Sequence, residues 1–194
     1  PDTLYGATFM VVAADSPLAA ELAAGGSVEK EFTDYLEKIK AASDIDRLAT
    51  DRPKSGVDLK RFAINPVNGE KLPIWASDYV LADYGTGAIM GVPCGDERDH
   101  KFAKHFNLPI TNIIGAGYNG QDANPDKSLT LENSDFLNGM KMSDAIEAAI
   151  QRIEQNGIGQ RQVNYKIRDA AFSRQRYWGE PFPITWKEGI AKEW

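Results

Sequence analysis

Two acidic residues at the start of a predicted helix are the strongest candidates for chemistry in this sequence. Asp96 and Asp99 stand three residues apart, so both carboxylates lie on one face of the helix. They follow a segment in which Gly85, Gly87 and Gly91 leave the backbone open to close approach. One acid would only offset the positive end of the helix dipole, whereas two acids give net attraction for an amine. The spacing therefore fits a site that holds a ligand's ammonium group.

The same spacing also fits a purely structural helix cap. Asp96 is a suitable N-cap residue, and Asp99 stands where the acid of a capping box closes back on it. From spacing alone this interpretation is favoured. Another alternative is a nucleophilic pair made of Cys94 and His100, which a bent strand–helix turn could bring together. Only the presence of the two residues supports that pair.

Short strands interrupted by helices are predicted to position these acids. Apolar runs rich in β-formers predict strands at 7–14, 61–65, 72–76, 78–82, 87–93 and 110–114. Periodicity and start residues predict helices at about 17–24, 28–42, 96–106 and 143–155. Ser16 and Ser27 are the expected caps of the first two helices. Strands and helices do not alternate regularly, which favours an α+β fold with a small barrel or mixed sheet.

Composition excludes several classes of protein. A net charge of −6 and a pI near 5.0 argue against a general nucleic-acid binder. The stretch from Arg152 to Arg176 is an exception, because it holds six Lys or Arg residues against two acids, with aromatic residues among them. It fits either a single-strand binding surface or a solvated basic face. The single Cys94 excludes a disulfide framework, and no apolar run is long enough to span a membrane.

The two ends of the chain are unusual for a complete protein. The sequence begins at Pro1 and ends at Trp194 in a segment rich in aromatic residues and prolines, so we expect it to be cut from a longer chain. The composition changes between about 160 and 166, which predicts a boundary there. The free cysteine, with no secretory leader in view, predicts a cytoplasmic location.

Four spaced segments together resemble one family. Three are PDTLYGAT from Pro1, NPVNGEKLPIW from Asn65 and YGTGAIMGVPCGDERD from Tyr84, and the fourth, from Val163 to Gly179, contains the stretches VNYKIRD and SRQRYWG. In this order and spacing they resemble the connective-polypeptide editing domain of bacterial leucyl-tRNA synthetase, a class I aminoacyl-tRNA synthetase. The resemblance covers nearly the whole chain.

The resemblance implies a fold and an activity. The expected fold is α+β, a small closed β-barrel decorated by helices, with 1–163 as the editing domain and 164–194 returning to the synthesis domain. The expected activity is that of an aminoacyl-tRNA deacylase. It hydrolyses the ester of leucine tRNA that carries a wrong amino acid, such as isoleucine or norvaline. ATP-binding signatures are absent from the sequence, so no aminoacylation is expected from this fragment.

The resemblance also carries site residues onto this sequence. Asp99 matches the acid that holds the substrate's α-ammonium, and Thr3 matches the threonine that blocks leucine by steric exclusion. Asp96 matches the other acid and is the expected catalytic residue, helping to order a hydrolytic water. The expected lining of the amino-acid pocket is Tyr84, Met90 and Val92. No metal and no cofactor are expected in the fragment, ATP being needed only by the parent enzyme.

The sequence departs from the family at two places. Cys94-Gly95 stands where the family has Ala or Gly followed by His, so any contact of that His with the adenosine is lost or replaced. Two threonines and an arginine that precede Pro1 in the family are absent. An alternative function is therefore a non-catalytic fragment that docks tRNA, and a third is an amino-acid-binding module. The expected partners are the 3′ end of leucine tRNA and the rest of the parent synthetase, with no membrane involved.

Overall fold

A computed structural model of the chain describes residues 1–40, 54–82 and 85–163, and the backbone of 184–187 and 190–193. The chain divides into two units, Pro1–Gln160 and Arg161–Trp194. The described part of the second unit is a hairpin, in which strand β5 (Ile184–Lys187) pairs antiparallel with β6 (Ile190–Glu193). The domain assignment of 1–163 and 164–194 stays a prediction.

The first unit contains a four-stranded mixed sheet. Its strands are β1 (Phe9–Ala13), β2 (Val57–Ile64), β3 (Lys71–Ser77) and β4 (Ala88–Gly91). The spatial order is β2-β3-β1-β4, with β1 parallel to β3 and the other two pairs antiparallel. Met10, the second residue of β1, pairs with Ile74 on one side and Met90 on the other. This register places the end of β4 beside the start of β1.

Helices cover both faces of this sheet. They are α1 (Pro17–Ala23), α2 (Glu29–Ile39), α3 (Glu97–His105) and α4 (Met142–Gln155). On one face, Phe9 of β1 packs with Phe102 of α3, their rings 5.4 Å apart. On the other face, Val12 of β1 packs with Phe32 of α2, and a further core joins Val92 to Ala145 of α4. Because successive side chains of a strand point to opposite faces, one short strand serves cores on both sides.

The prediction of a closed β-barrel is wrong. The sheet is open, because β2 and β4 stand at its two edges and do not pair with each other. Closure needs strands that bridge these edges. Two of the predicted strands, at 78–82 and 110–114, form no strand in the structure.

Both incorrect strand predictions come from apolar runs whose side chains pack into the core without joining a sheet. In the 110–114 segment, Asn112 accepts a hydrogen bond from Ile114 N–H and donates one to the Gly115 carbonyl. Such local side-chain bonds compete with a sheet ladder. In the 78–82 segment, Tyr79 and Val80 turn into the core that contains Phe102. Burial alone therefore does not identify a strand.

The helix starts agree with the sequence in part. Ser16 caps α1, accepting a hydrogen bond from Ala19 N–H, as predicted. Ser27 does not cap α2, whose N-cap is Val28 without a side-chain bond. α4 begins at Met142, one residue before the predicted start. In the part of the chain that the structure describes, no helix has the length and apolar character needed to cross a membrane.

Gly91 is required by close packing. A Cβ placed there would collide with ring carbons of Phe9, which is fully buried. We predict that Gly91→Ala lowers the free energy of unfolding by about 1–3 kcal/mol, the usual cost of overpacking a core. Urea unfolding measures the change. Gly95→Ala is the matched control, since a Cβ there meets nothing within 4 Å; equal loss in both variants would contradict the assignment.

Candidate functional site

The carboxylate of Asp99 is buried and held by two donors. Asp99 is only 6% exposed, in the first turn of α3. Its Oδ1 accepts a hydrogen bond from the Tyr79 hydroxyl at 3.1 Å, and its Oδ2 accepts one from Val92 N–H at 2.9 Å. The carboxylate thus joins α3 to the end of β4 and to the segment that follows β3. Each oxygen has a second lone pair with which to meet a ligand.

Asp96 is the N-cap of α3, as the structural alternative predicts. Its Oδ1 accepts hydrogen bonds from Arg98 N–H at 2.8 Å and Asp99 N–H at 3.1 Å. The side chain is half-buried, so it is more accessible than Asp99. The capping bonds fix the two acids relative to each other, three residues apart at the same helix start.

Thr3 lies at the start of a tight turn that a hydrogen bond from Asn65 holds in place. The residue is the N-cap of a 3-10 helix, Leu4–Gly6, and its side chain makes no capping hydrogen bond. The buried side chain of Asn65 donates a hydrogen bond of 2.8 Å to the Leu4 carbonyl. The backbone next to Thr3 is therefore held in place by Asn65, and the Thr3 hydroxyl does not cap the turn.

The 3-10 turn packs directly against the end of β4. A Cβ on Gly6 would lie 3.0 Å from a methyl carbon of Val92 and closer still to Ile113, so only glycine fits without displacement. Thr8 N–H donates a hydrogen bond of 3.0 Å to the Gly91 carbonyl. Val92, which also binds Asp99, is thus the common neighbour of the acid and of the turn that follows Thr3.

Met90 lies in β4, two residues before Val92, which directly follows the strand. Met90 packs against the core cluster to which Val92 belongs. Met10 pairs with Met90 across the sheet, and both are half-buried. Methionine side chains adapt to apolar groups of different shape. The predicted lining residue Tyr84 lies outside the described residues.

Burial sets the ionisation of the site. Loss of hydration raises the pKa of Asp99 to about 6, and the neighbouring Asp96 charge adds to the rise. The hydrogen bonds from Val92 and Tyr79 oppose it, because they stabilise the charged form. The pKa of Tyr79 is raised by burial and by the charge of Asp99. The phenol therefore stays protonated and remains a donor.

The alternative of a Cys94 nucleophile is not supported by the geometry. Cys94 is fully buried, and burial raises the pKa of its thiol. The ring of His100 is directed elsewhere, with Nε2 3.2 Å from the hydroxyl oxygen of Tyr118. A buried, protonated thiol is a poor nucleophile. Among the described residues, no group of three or more His, Cys, Asp or Glu side chains is placed to hold a metal ion.

Asn65 and Tyr79 belong to this region but were not identified from the sequence. Asn65 belongs to the NPVNGE stretch, in which Asn-Pro and a glycine three residues after the proline mark a turn. Its role in holding Leu4 is a contact across 61 residues. Tyr79 lies in a predicted strand, and no local pattern points to its bond with Asp99. Both contacts depend on the tertiary fold.

Comparison with known proteins identifies similar sequences. The family described as "Leucyl-tRNA synthetase, editing domain" matches residues 1–154. The leucine–tRNA ligase of Paenarthrobacter aurescens strain TC1 is 51% identical over 191 residues, covering 95% of this chain and 22% of the ligase. That of Arthrobacter sp. strain FB24 is 49% identical over 187 residues, with the same coverage. The chain thus spans about a fifth of the length of these relatives.

A solved structure is similar in fold as well as in sequence. It is the ternary complex of the LeuRS agnB2 of Agrobacterium radiobacter K84 with tRNA and LeuAMS. The TM-score is 0.61 and the sequence identity 32%, over 99% of this chain and 21% of that chain.

The buried Asp99 predicts a pH-dependent stability. Its pKa in the folded state, about 6, exceeds that of an unfolded aspartate, so its contribution to stability is full below about pH 4 and is lost as pH rises through 6. Wild type should therefore gain up to about 3 kcal/mol relative to Asp99→Asn between pH 7 and pH 4. Urea unfolding of both variants measures it, because other titrations cancel in the difference. A difference that stays constant with pH would contradict the assignment.

Proposed function

The chain belongs to the editing-domain family of leucyl-tRNA synthetase, and on that premise we propose that it hydrolyses the ester of mischarged leucine tRNA. The substrate is the tRNA 3′ end carrying a non-leucine amino acid such as isoleucine or norvaline. The observation that carries the proposal is the buried Asp99 carboxylate, 2.9 Å from the backbone nitrogen of Val92, whose side chain lies against Gly6 in the turn that follows Thr3. The domain acts as part of a leucine–tRNA ligase, with the parent chain presenting the tRNA.

The need for a second site follows from the energetics of recognition. An apolar pocket gains only about 1–3 kcal/mol per methylene, so amino acids close to leucine in size pass the synthesis site. A hydrolytic site that excludes leucine removes those errors. Exclusion requires a firm wall, and threonine is suited to that because its β-branched side chain has few rotamers. Thr3 is the residue we assign to this wall.

Asp99 is the residue we assign to the substrate's α-ammonium. With a pKa near 6 it is mostly ionised at neutral pH, although it is buried. In a site with little water an ion pair with the ammonium is strong, and it also relieves the desolvation of the carboxylate. The apolar side chain of the amino acid then lies over Met90 and Val92. This placement uses the acid and the lining residues together.

The hydrolytic step uses a positioned water. The only cysteine is buried and protonated, so a covalent intermediate on it is disfavoured. Asp96 accepts its two capping bonds on Oδ1, so we assign Oδ2 to the water. The ribose hydroxyl next to the ester helps to activate that water, and backbone N–H groups stabilise the developing oxyanion. The aminoacyl ester is cleaved to free amino acid and tRNA with the addition of one water.

We predict that Asp99→Ala slows the deacylation of leucine tRNA mischarged with isoleucine by about 10- to 150-fold. This is the loss expected when an ammonium forfeits a charge-assisted bond of about 1.5–3 kcal/mol. The assay uses the chain extended by the two threonines and the arginine that the family carries ahead of Pro1. Glu97→Gln is the matched control, because it removes a charge from the same helix turn in an exposed pair with Lys101. Full activity of folded Asp99→Ala would leave the residue only a structural role, and tRNA binding without turnover in wild type would favour a docking fragment.

We predict that Thr3→Ala makes the domain hydrolyse correctly charged leucyl-tRNA. Removing the β-branched wall opens the pocket to leucine, whereas stability should change little because the Thr3 side chain makes no capping bond. Deacylation of leucyl-tRNA and isoleucyl-tRNA is measured in the same extended chain. Thr33→Ala on the exposed side of α2 serves as the control. Survival of leucyl-tRNA while isoleucyl-tRNA is still cleared would contradict the assignment.

A further inference from the structure

Tyr79 is a buried phenol that has no role in the hydrolysis proposed for this domain. It follows β3 by two residues and is 7% exposed. Its ring packs in a core with the ring of Phe102, 5.3 Å away. The hydroxyl reaches across to α3 and donates to Oδ1 of Asp99 at 3.1 Å. The ring is therefore fixed by packing, and the donor is aimed at one oxygen.

We propose that Tyr79 is a positioning residue for ammonium recognition, holding the Asp99 carboxylate in the orientation in which it meets the substrate. This rests on the proposed function, in which Asp99 receives the α-ammonium. An aspartate carboxylate held at a single oxygen can still turn about its last torsion, which is broad. Here the second oxygen is held by Val92 N–H at 2.9 Å. Two donors from two different segments leave one orientation.

The hydroxyl has a second consequence, for the charge of Asp99. Donation to the carboxylate favours its ionised form, against the burial that disfavours it. The other charges that face the pair come from α3 with its cap and from Lys54. On α3 and its cap, Asp96 raises the pKa of Asp99 and Arg98 lowers it. The ammonium of Lys54 lies 5.7 Å from the centre of the Tyr79 ring, and Val92 contributes a neutral N–H donor. Losing the hydroxyl should therefore raise the pH at which Asp99 becomes charged.

The test is the pH profile of deacylation by Tyr79→Phe. The phenylalanine keeps the ring against Phe102 and removes only the hydroxyl. Loss of a hydrogen bond to a charged group shifts the pKa of that group by about one unit. The acidic limb of the pH–rate profile should therefore move up by about one pH unit. Starting from a pKa near 6, this is about a threefold loss at pH 6.5 that nearly disappears at pH 8. Titration of the substrate is common to both enzymes and cancels in the ratio of rates.

Two further variants separate the possible outcomes. Tyr118→Phe is the control: it removes a tyrosine hydroxyl that lies 3.2 Å from His100, which is on α3 like Asp99. The ratio of its deacylation rate to that of wild type should not vary with pH. Asp99→Asn reports on the proposed function itself. If Asp99→Asn is inactive but the Tyr79→Phe ratio is constant from pH 5.5 to 8, Tyr79 is only part of the core and the proposal fails alone. If Asp99→Asn keeps full activity, the assignment of Asp99 to the ammonium is wrong, and the role proposed for Tyr79 falls with it.

A second substitution guards against a Tyr79→Phe protein that does not fold. 3-Fluorotyrosine placed at position 79 by amber suppression keeps the ring and its packing and has a more acidic hydroxyl. It should strengthen the bond to Asp99 and move the acidic limb down, opposite in sign to the Phe variant. A limb that stays at the wild-type pH with this residue would overturn the proposal.

Discussion

The burial of one carboxylate is the constraint on which the candidate site depends. Asp99 loses most of its hydration and regains two hydrogen bonds, one from a backbone N–H and one from a phenol. Those two donors come from the end of β4 and from the segment after β3, while the acid itself comes from α3. A buried charge is tolerated only when its partners are placed accurately. The three segments are therefore held in register by the same group that is proposed to meet the substrate.

The second constraint is steric, and it acts through glycines beside the same strand end. Gly91 lies under the ring of Phe9, and Gly6 lies against Val92 and Ile113. With no side chain at either position, the turn that follows Thr3 can approach β4 closely. Asn65 then fixes the turn by its bond to the Leu4 carbonyl. Val92 is thus the neighbour of the acid through its N–H and of the turn that follows Thr3 through its side chain.

The sequence predicted the local features of this region well. The glycine-punctuated strand, the helix start at Asp96 and the cap at Ser16 all follow from rules that act over a few residues. The closed barrel and the strands at 78–82 and 110–114 were wrong, because an apolar run records burial and not the partner that buries it. The contacts of Tyr79 with Asp99 and of Asn65 with Leu4 span 20 and 61 residues, and no periodicity encodes them. The spacing of Asp96 and Asp99 favoured a helix cap over an ammonium site, and the structure assigns the cap to Asp96.

The cost of Asp99 is itself an argument about its purpose. A group whose pKa is raised by burial disfavours folding at neutral pH, where it must ionise inside the protein. An uncharged residue of the same shape avoids that cost, and asparagine retains one acceptor for Val92 N–H or the Tyr79 hydroxyl. Structure alone therefore gives little reason for a charge at this position. A charge retained against the stability of the fold is characteristic of sites that bind or react. The ammonium of the proposed substrate would supply a counter-charge, which the two neutral groups that hydrogen-bond the carboxylate, the Tyr79 hydroxyl and Val92 N–H, do not provide. The same reasoning explains why both of those partners are neutral donors. They stabilise the ionised acid without neutralising it, and so leave its charge available to the proposed substrate.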